Sequence, residues 1–194
     1  MVAAGENGLF TLSTEFTLTS HQPAPPQVAS ACFNESGILI SGTWDDYIRV
    51  GLKNTRQWPH PPRDDDDDGQ ELAQLVVINN RILLAAPTLN CILVYNCDGQ
   101  EERRVTLQGM ERPQWICCSD NRSIIVTSYE QSKVCKFPLL QAEPEAEWVC
   151  DTLVRPKGVC ADHLGLIYVC NGASGSKQIT VLSPQGKSLF WLAE

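Results

Sequence analysis

Short apolar runs set off by turn residues recur along the chain at a nearly constant interval. Four of them stand out: Gly37-Ile38-Leu39-Ile40, Arg81-Ile82-Leu83-Leu84, Ser123-Ile124-Ile125-Val126 and Gly165-Leu166-Ile167-Tyr168-Val169. The steps from Ile38 to Ile82, Ile124 and Leu166 are 44, 42 and 42 residues. A second apolar stretch precedes each run: Val28 to Phe33, Leu75 to Ile78, Trp115 to Cys118 and Val159 to Ala161. A third follows each: Tyr47 to Leu52, Cys91 to Tyr95, Lys133 to Pro138 and Gln178 to Leu182. In three repeats there is a fourth: Arg104 to Leu107, Glu147 to Leu153 and Ser188 to Leu192. β-Branched and aromatic residues dominate, with frequent alternation, which predicts strands. The joints carry turn chemistry in Asn34-Glu-Ser-Gly37, Asn96-Cys-Asp-Gly99, Asp120-Asn121 and Ser183-Pro-Gln-Gly186. No segment holds an apolar helical stripe over three turns.

Four short antiparallel strands per interval of about 43 residues is the repeat of a β-propeller, in which sheets stacked around an axis hide each other's faces. The predicted fold is all-β. Repeats run approximately over 26–56, 71–108, 111–153 and 154–194, and a partial hairpin over 5–19 precedes them. Three arrangements fit four repeats and a hairpin: a small irregular propeller in which the hairpin completes a blade, a piece of a longer chain, or an open assembly whose ends pair with another chain. Between the first two full repeats stand Trp58-Pro-His-Pro-Pro-Arg63 and the five aspartates Asp64 to Asp68. Proline and charge repulsion argue against a packed strand there, so 57–70 is expected to be a disordered acidic insert. An acidic patch for a basic partner is the functional alternative, and weak calcium binding a further one.

The last repeat resembles an NHL repeat. Its residues are Arg155-Pro156-Lys157-Gly158-Val159-Cys160-Ala161-Asp162, Gly165-Leu166-Ile167-Tyr168-Val169, and Gln178 to Ser183 with Gly186-Lys187. The preceding repeat keeps Arg112-Pro113 at a distance of 43 residues but has Trp115 near the position where the family has its glycine-valine start. Trp44-Asp45-Asp46-Tyr47-Ile48-Arg49-Val50 is similar to the turn between second and third strands of WD-type blades. The resemblance implies an NHL-like or WD-like propeller, such as the C-terminal domains of tripartite-motif ubiquitin ligases, and a role in capturing proteins or single-stranded RNA.

Composition narrows the chemistry. The 194 residues are 43% hydrophobic with a net charge of −8, and the aspartate run leaves only −3 for the rest. This argues against a general polyanion binder while allowing a local basic patch. No apolar run is long enough for a membrane helix. The start, Met-Val-Ala-Ala-Gly-Glu, shows no secretory signal, and nine cysteines are most simply free thiols of a cytoplasmic protein. Cys91 and Cys97 flank a short strand-like segment and could pair, although two free thiols are the simpler reading. His21, His60 and His163 have no metal-ligand spacing, and no Cys-x-x-Cys, nucleotide-binding glycine motif or nucleophile elbow occurs. No metal, cofactor or catalytic residue is therefore expected. Asp120 and Asp162 end first strands, and turn capping is the simpler role for both.

In a propeller, the loops entering the first strand and joining the second to the third open on one broad face. Here they hold Arg112, Trp115 nearby, Tyr129, Glu130, Lys133, Arg155, Lys157, Asn171 and Lys177, with Trp44, Asp45, Asp46 and Arg49 on the first full repeat. Arginine with an aromatic residue suits a protein or peptide partner. Single-stranded RNA on the same face, a purely architectural role, and self-association through open blade edges are the alternatives.

Overall fold

The alternation of buried side chains explains why the apolar runs build sheets and not helices. In the computed structural model, residues 2–5, 8–12, 18–22, 28–33, 39–43, 47–50, 56–59, 74–120, 122–139, 143–172 and 178–193 are described; before residue 74, side chains are described at Ala31, Cys32, Ile40 and Ile48. Among the described residues, all nineteen elements are strands. The first sheet has three: β1 (Val2–Gly5), β2 (Gly8–Leu12) and β3 (Leu18–Gln22). Four four-stranded sheets follow. The second sheet is β4 (Val28–Phe33), β5 (Leu39–Thr43), β6 (Tyr47–Val50) and β7 (Arg56–Pro59). The third is β8 (Leu75–Ile78), β9 (Arg81–Ala86), β10 (Cys91–Asn96) and β11 (Glu101–Val105). The fourth is β12 (Trp115–Cys118), β13 (Ser123–Ser128), β14 (Lys133–Pro138) and β15 (Trp148–Cys150). The fifth is β16 (Pro156–Ala161), β17 (Ile167–Asn171), β18 (Gln178–Leu182) and β19 (Ser188–Ala193).

Each sheet is an antiparallel meander. The first strands of successive sheets lie side by side, β1 against β4, then β8, β12 and β16. Among the described residues no comparable contact returns from the fifth sheet to the first, so the blades form an open arc. The predicted hairpin over 5–19 is thus a three-stranded sheet. The Arg56–Pro59 segment, expected to start a disordered insert, is instead the fourth strand of the second sheet, with Trp58 opposite Ile48. Its place at the sheet edge tolerates a proline, because one side of the strand needs no ladder partner. The acidic part of that insert lies outside the described residues.

Successive residues on a strand face opposite sides, so a continuous apolar run feeds two cores. In the third sheet, Leu83, Ala85, Ile92 and Val94 pack against Ile116, Ile124, Val126 and Phe137 of the fourth. The alternate residues Ile82, Leu84, Leu93 and Tyr95 pack toward Ile40 and Ile48 of the second. Ile125 and Val134 leave the fourth sheet on its other side and meet Val159, Ile167, Val169 and Leu182 of the fifth. On the far face of the fifth sheet Val181 is buried, whereas Cys160, Cys170, Ile179, Phe190 and Leu192 are exposed. Leu189, Phe190, Trp191 and Leu192 of the outermost strand are 52, 50, 63 and 48% exposed.

Candidate functional site

The meander places the loops entering first strands and those joining second to third strands at one end of every sheet. At that end Arg112 and Arg155 occupy equivalent points, just before β12 and β16. Both have left-handed backbone, with φ of 46° and 48°. That conformation is unfavourable for a side chain with a Cβ, and more so before a proline. A repeated latch holds it. The Arg112 amide donates to Asn90 Oδ1 at 2.6 Å, and the Arg155 amide donates to Ser132 Oγ at 3.1 Å. Asn90 and Ser132 close the turns between second and third strands of the preceding blades, and both are left-handed themselves. Pro113 and Pro156 are buried behind the arginines. Strain repeated at matched points of neighbouring blades is the kind of feature that functional loops retain.

The fourth and fifth sheets bring most of the described candidates together. Arg155 lies 5.4 Å and Lys157 5.8 Å from the centroid of the Tyr129 ring. Both cations are exposed, so the aromatic contact orders them without desolvating them. Beside them Arg112 pairs with Glu130 at 3.1 Å. Lys133 turns its ammonium to the Gly109 carbonyl at 3.2 Å. A hydrogen bond from Thr127 Oγ1 to the Lys157 carbonyl, at 3.2 Å, ties the two blades beneath the cluster. Asn171 is at the end of β17, and its Oδ1 is buried without a hydrogen-bond partner among the described residues.

Gly172 serves the cluster through a tertiary contact. A Cβ there would run into the Arg155 carbonyl oxygen and crowd both Lys157 and the Tyr129 ring. Trp115 is half-buried against the core between the fourth and fifth sheets. Arg49 is within β6, its side chain not among those described; Trp44, Asp45, Asp46 and Lys177 lie outside the described residues. The latch residues Asn90 and Ser132 were missed by the sequence reading. Their spacing of 42 residues, against 43 for the two arginines, was the available signal.

The opposite end of the sheets holds turns. Asp162 Oδ1 accepts from the amides of Leu164 and Leu166, both at 2.9 Å, and Oδ2 accepts from the Tyr168 hydroxyl at 3.1 Å. Partial burial opposes ionisation of Asp162, but these donors outweigh it and lower its pKa. Asp120 accepts from the Arg122 amide at 2.7 Å and faces Lys136 at 3.5 Å, with the same net lowering against desolvation. Both carboxylates cap turns in the folded chain. A cleft of about 60 Å³ beside Asn79, Arg81, Arg103 and Leu139 is far below the several hundred Å³ that enclose a small-molecule ligand. Among the described residues, no three His, Cys, Asp or Glu side chains converge as metal ligands, and no helix is long and apolar enough to cross a membrane. All nine cysteines, Cys91 and Cys97 included, are free thiols.

No family model matches the chain, and no curated protein matches it in sequence. Solved structures do. A functionally unknown protein from Desulfotomaculum acetoxidans superposes with a TM-score of 0.67 at 14% identity, over 97% of this chain and 64% of its own. The WD40 β-propeller domain of Doa1 gives 0.67 at 15%, over 90% of this chain and 55% of its own. Virginiamycin B lyase from Staphylococcus aureus gives 0.66 at 13%, over 97% of this chain and 63% of its own. The chain therefore spans less than two thirds of the length of these three structures. With identities this low the likeness establishes the fold alone: the chain is an all-β, propeller-like arc of four-stranded antiparallel blades.

Proposed function

We propose that this arc is a non-catalytic binding module that recruits a protein or peptide segment on its loop face, at the junction of the fourth and fifth blades. The observation that carries the reading is the cluster of Tyr129, Arg155 and Lys157, set on a strained and latched backbone that recurs one blade away at Arg112. Exposed cations ordered on an aromatic ring anchor a partner at little entropic expense. Substrate recruitment, as in the propellers of tripartite-motif ubiquitin ligases, is one use of such a face. The nine free thiols fit a reducing compartment such as the cytoplasm.

Selection of random peptides on the wild-type chain tests this. Enriched peptides are expected to lose roughly tenfold or more in affinity to the Arg112→Ala, Arg155→Ala double variant, while its thermal midpoint stays nearly unchanged, because exposed charges add little to stability. Peptides that bind both forms equally would place the site elsewhere. Unfolding of the double variant would make the arginines structural. Single-stranded RNA is the weaker reading. The aromatic ring at the junction is already engaged by the chain's own cations, so a base would have to compete with them for it. Self-association is favoured by a different observation, the exposed apolar run Leu189 to Leu192 on the outermost strand.

A further inference from the structure

We propose that the segment held at the junction of the fourth and fifth blades is an acidic stretch of polypeptide, whose carboxylates pair with Arg155 and Lys157. This rests on the loop-face reading above and specifies its partner. Four other cations of the chain have carboxylate partners. Arg81 faces Glu102, Arg104 faces Glu101, Arg112 faces Glu130, and Lys136 faces both Asp120 and Glu147. Arg103 and Lys133 instead donate to the carbonyls of Leu139 and Gly109, and Arg155 and Lys157 have neither arrangement. Among the described residues neither has a carboxylate within ion-pair reach, and both are drawn to the one ring of Tyr129. In a chain of net charge −8, two neighbouring exposed cations left without counter-charges make a local positive field. The six residues that join β17 to β18, Gly172 to Lys177, contain no acid and one further lysine.

The field is also preorganised. The Arg155 backbone is fixed by the Ser132 latch, the Lys157 carbonyl by Thr127, and both side chains by the ring. Little side-chain entropy remains to be lost when an anion arrives, which favours binding over a loose patch of the same charge. The guanidinium of Arg155 suits a two-point contact with a carboxylate, and the Lys157 ammonium adds a second, adaptable charge. Nucleic acid is the competing anion. It would need stacking surfaces as well as charge, and would have to compete with Arg155 and Lys157 for the ring.

The test is a titration of the isotope-labelled chain, followed by amide shifts, with octaglutamate, octaserine and octauridylate as probes. Octaglutamate is expected to move the amides of Arg155, Lys157, Gly158 and Gly172, with affinity falling several-fold from low to physiological salt. The Arg155→Gln, Lys157→Gln variant should abolish those shifts while keeping the wild-type amide dispersion elsewhere. Lys157→Glu, which leaves the latched arginine untouched, should do the same. Octaserine moving the same amides as strongly would overturn the acidic specificity and leave the loop-face reading standing. Tighter binding of octauridylate would overturn it in favour of nucleic acid. Silence with octaglutamate would overturn it outright; the loop-face reading would then fail only if selected peptides also ignored the double arginine variant.

Discussion

At the residue scale, two glycines near the site make opposite predictions. Gly172 has no room for a Cβ, because the Arg155 carbonyl stands in its way. Gly158 has room: a Cβ there meets only Cys170 Sγ, at an ordinary 3.8 Å. Gly172→Ala is therefore expected to push the β16 entry away from Tyr129, to destabilise the chain by about 1–3 kcal/mol in urea titrations, and to weaken peptide binding. Gly158→Ala is expected to stay within about 0.5 kcal/mol of wild type. Equal effects would mean that Gly172 is not packed as described. The sequence displayed the arginines and the tyrosine as candidates, since residue type and repeat position suffice for that. It did not display Gly172, Asn90 or Ser132 as their supports, because those roles depend on which loops meet across blades.

At the element scale, the blades are held by strands whose two faces serve different cores. Ile125 is wholly buried and points to the fifth sheet, whereas Ile124 and Val126 point to the third. Ile125→Ala or Ile167→Ala should each lower the unfolding free energy by about 2–5 kcal/mol, measured by urea denaturation. A loss below about 1 kcal/mol would mean that the fourth and fifth sheets are not packed on one another. The four-strand repeat was legible because turn chemistry and apolar runs keep a fixed interval. The fourth strand of the second sheet was not. Its Trp-Pro sequence looks like a loop locally, and only pairing with β6 makes Arg56–Pro59 a strand.

At the scale of the whole molecule, thiol burial ties stability to alkaline pH. Burial pushes the Cys32 and Cys135 thiols up to about 12, and burial together with Asp120 pushes Cys118 to about 11; Cys117 is raised further by burial. Burial, with Glu101 adding to it, raises Tyr95 to about 12. In the unfolded chain the thiols ionise near their ordinary value of 9.0. Below that pH both states keep the protons and the groups have no effect on the pH dependence. Above it the unfolded chain releases protons that the folded chain retains, so stability falls as pH rises from about 9 toward 12. Urea midpoints should decline over that range, and less steeply in a Cys32→Ala, Cys135→Ala variant. An identical decline in the variant would assign the effect to other groups. The open end of the arc makes a second prediction. Light scattering should give a mass above the 21.5 kDa of one chain as concentration rises, and Phe190→Ser with Leu192→Ser should return it to one chain. A monomer at all concentrations would show that the exposed run does not drive association.

The sequence by itself determined the all-β class, the repeat length, the turn positions and the matched arginines, because all of these follow from local pattern and spacing. Tertiary structure alone decided which core each strand face enters, that the blades leave the arc open, and that Tyr129 gathers Arg155 and Lys157. Those outcomes depend on contacts between residues distant in the chain, and the alternation of apolar and polar positions says which residues turn inward but not what they meet there.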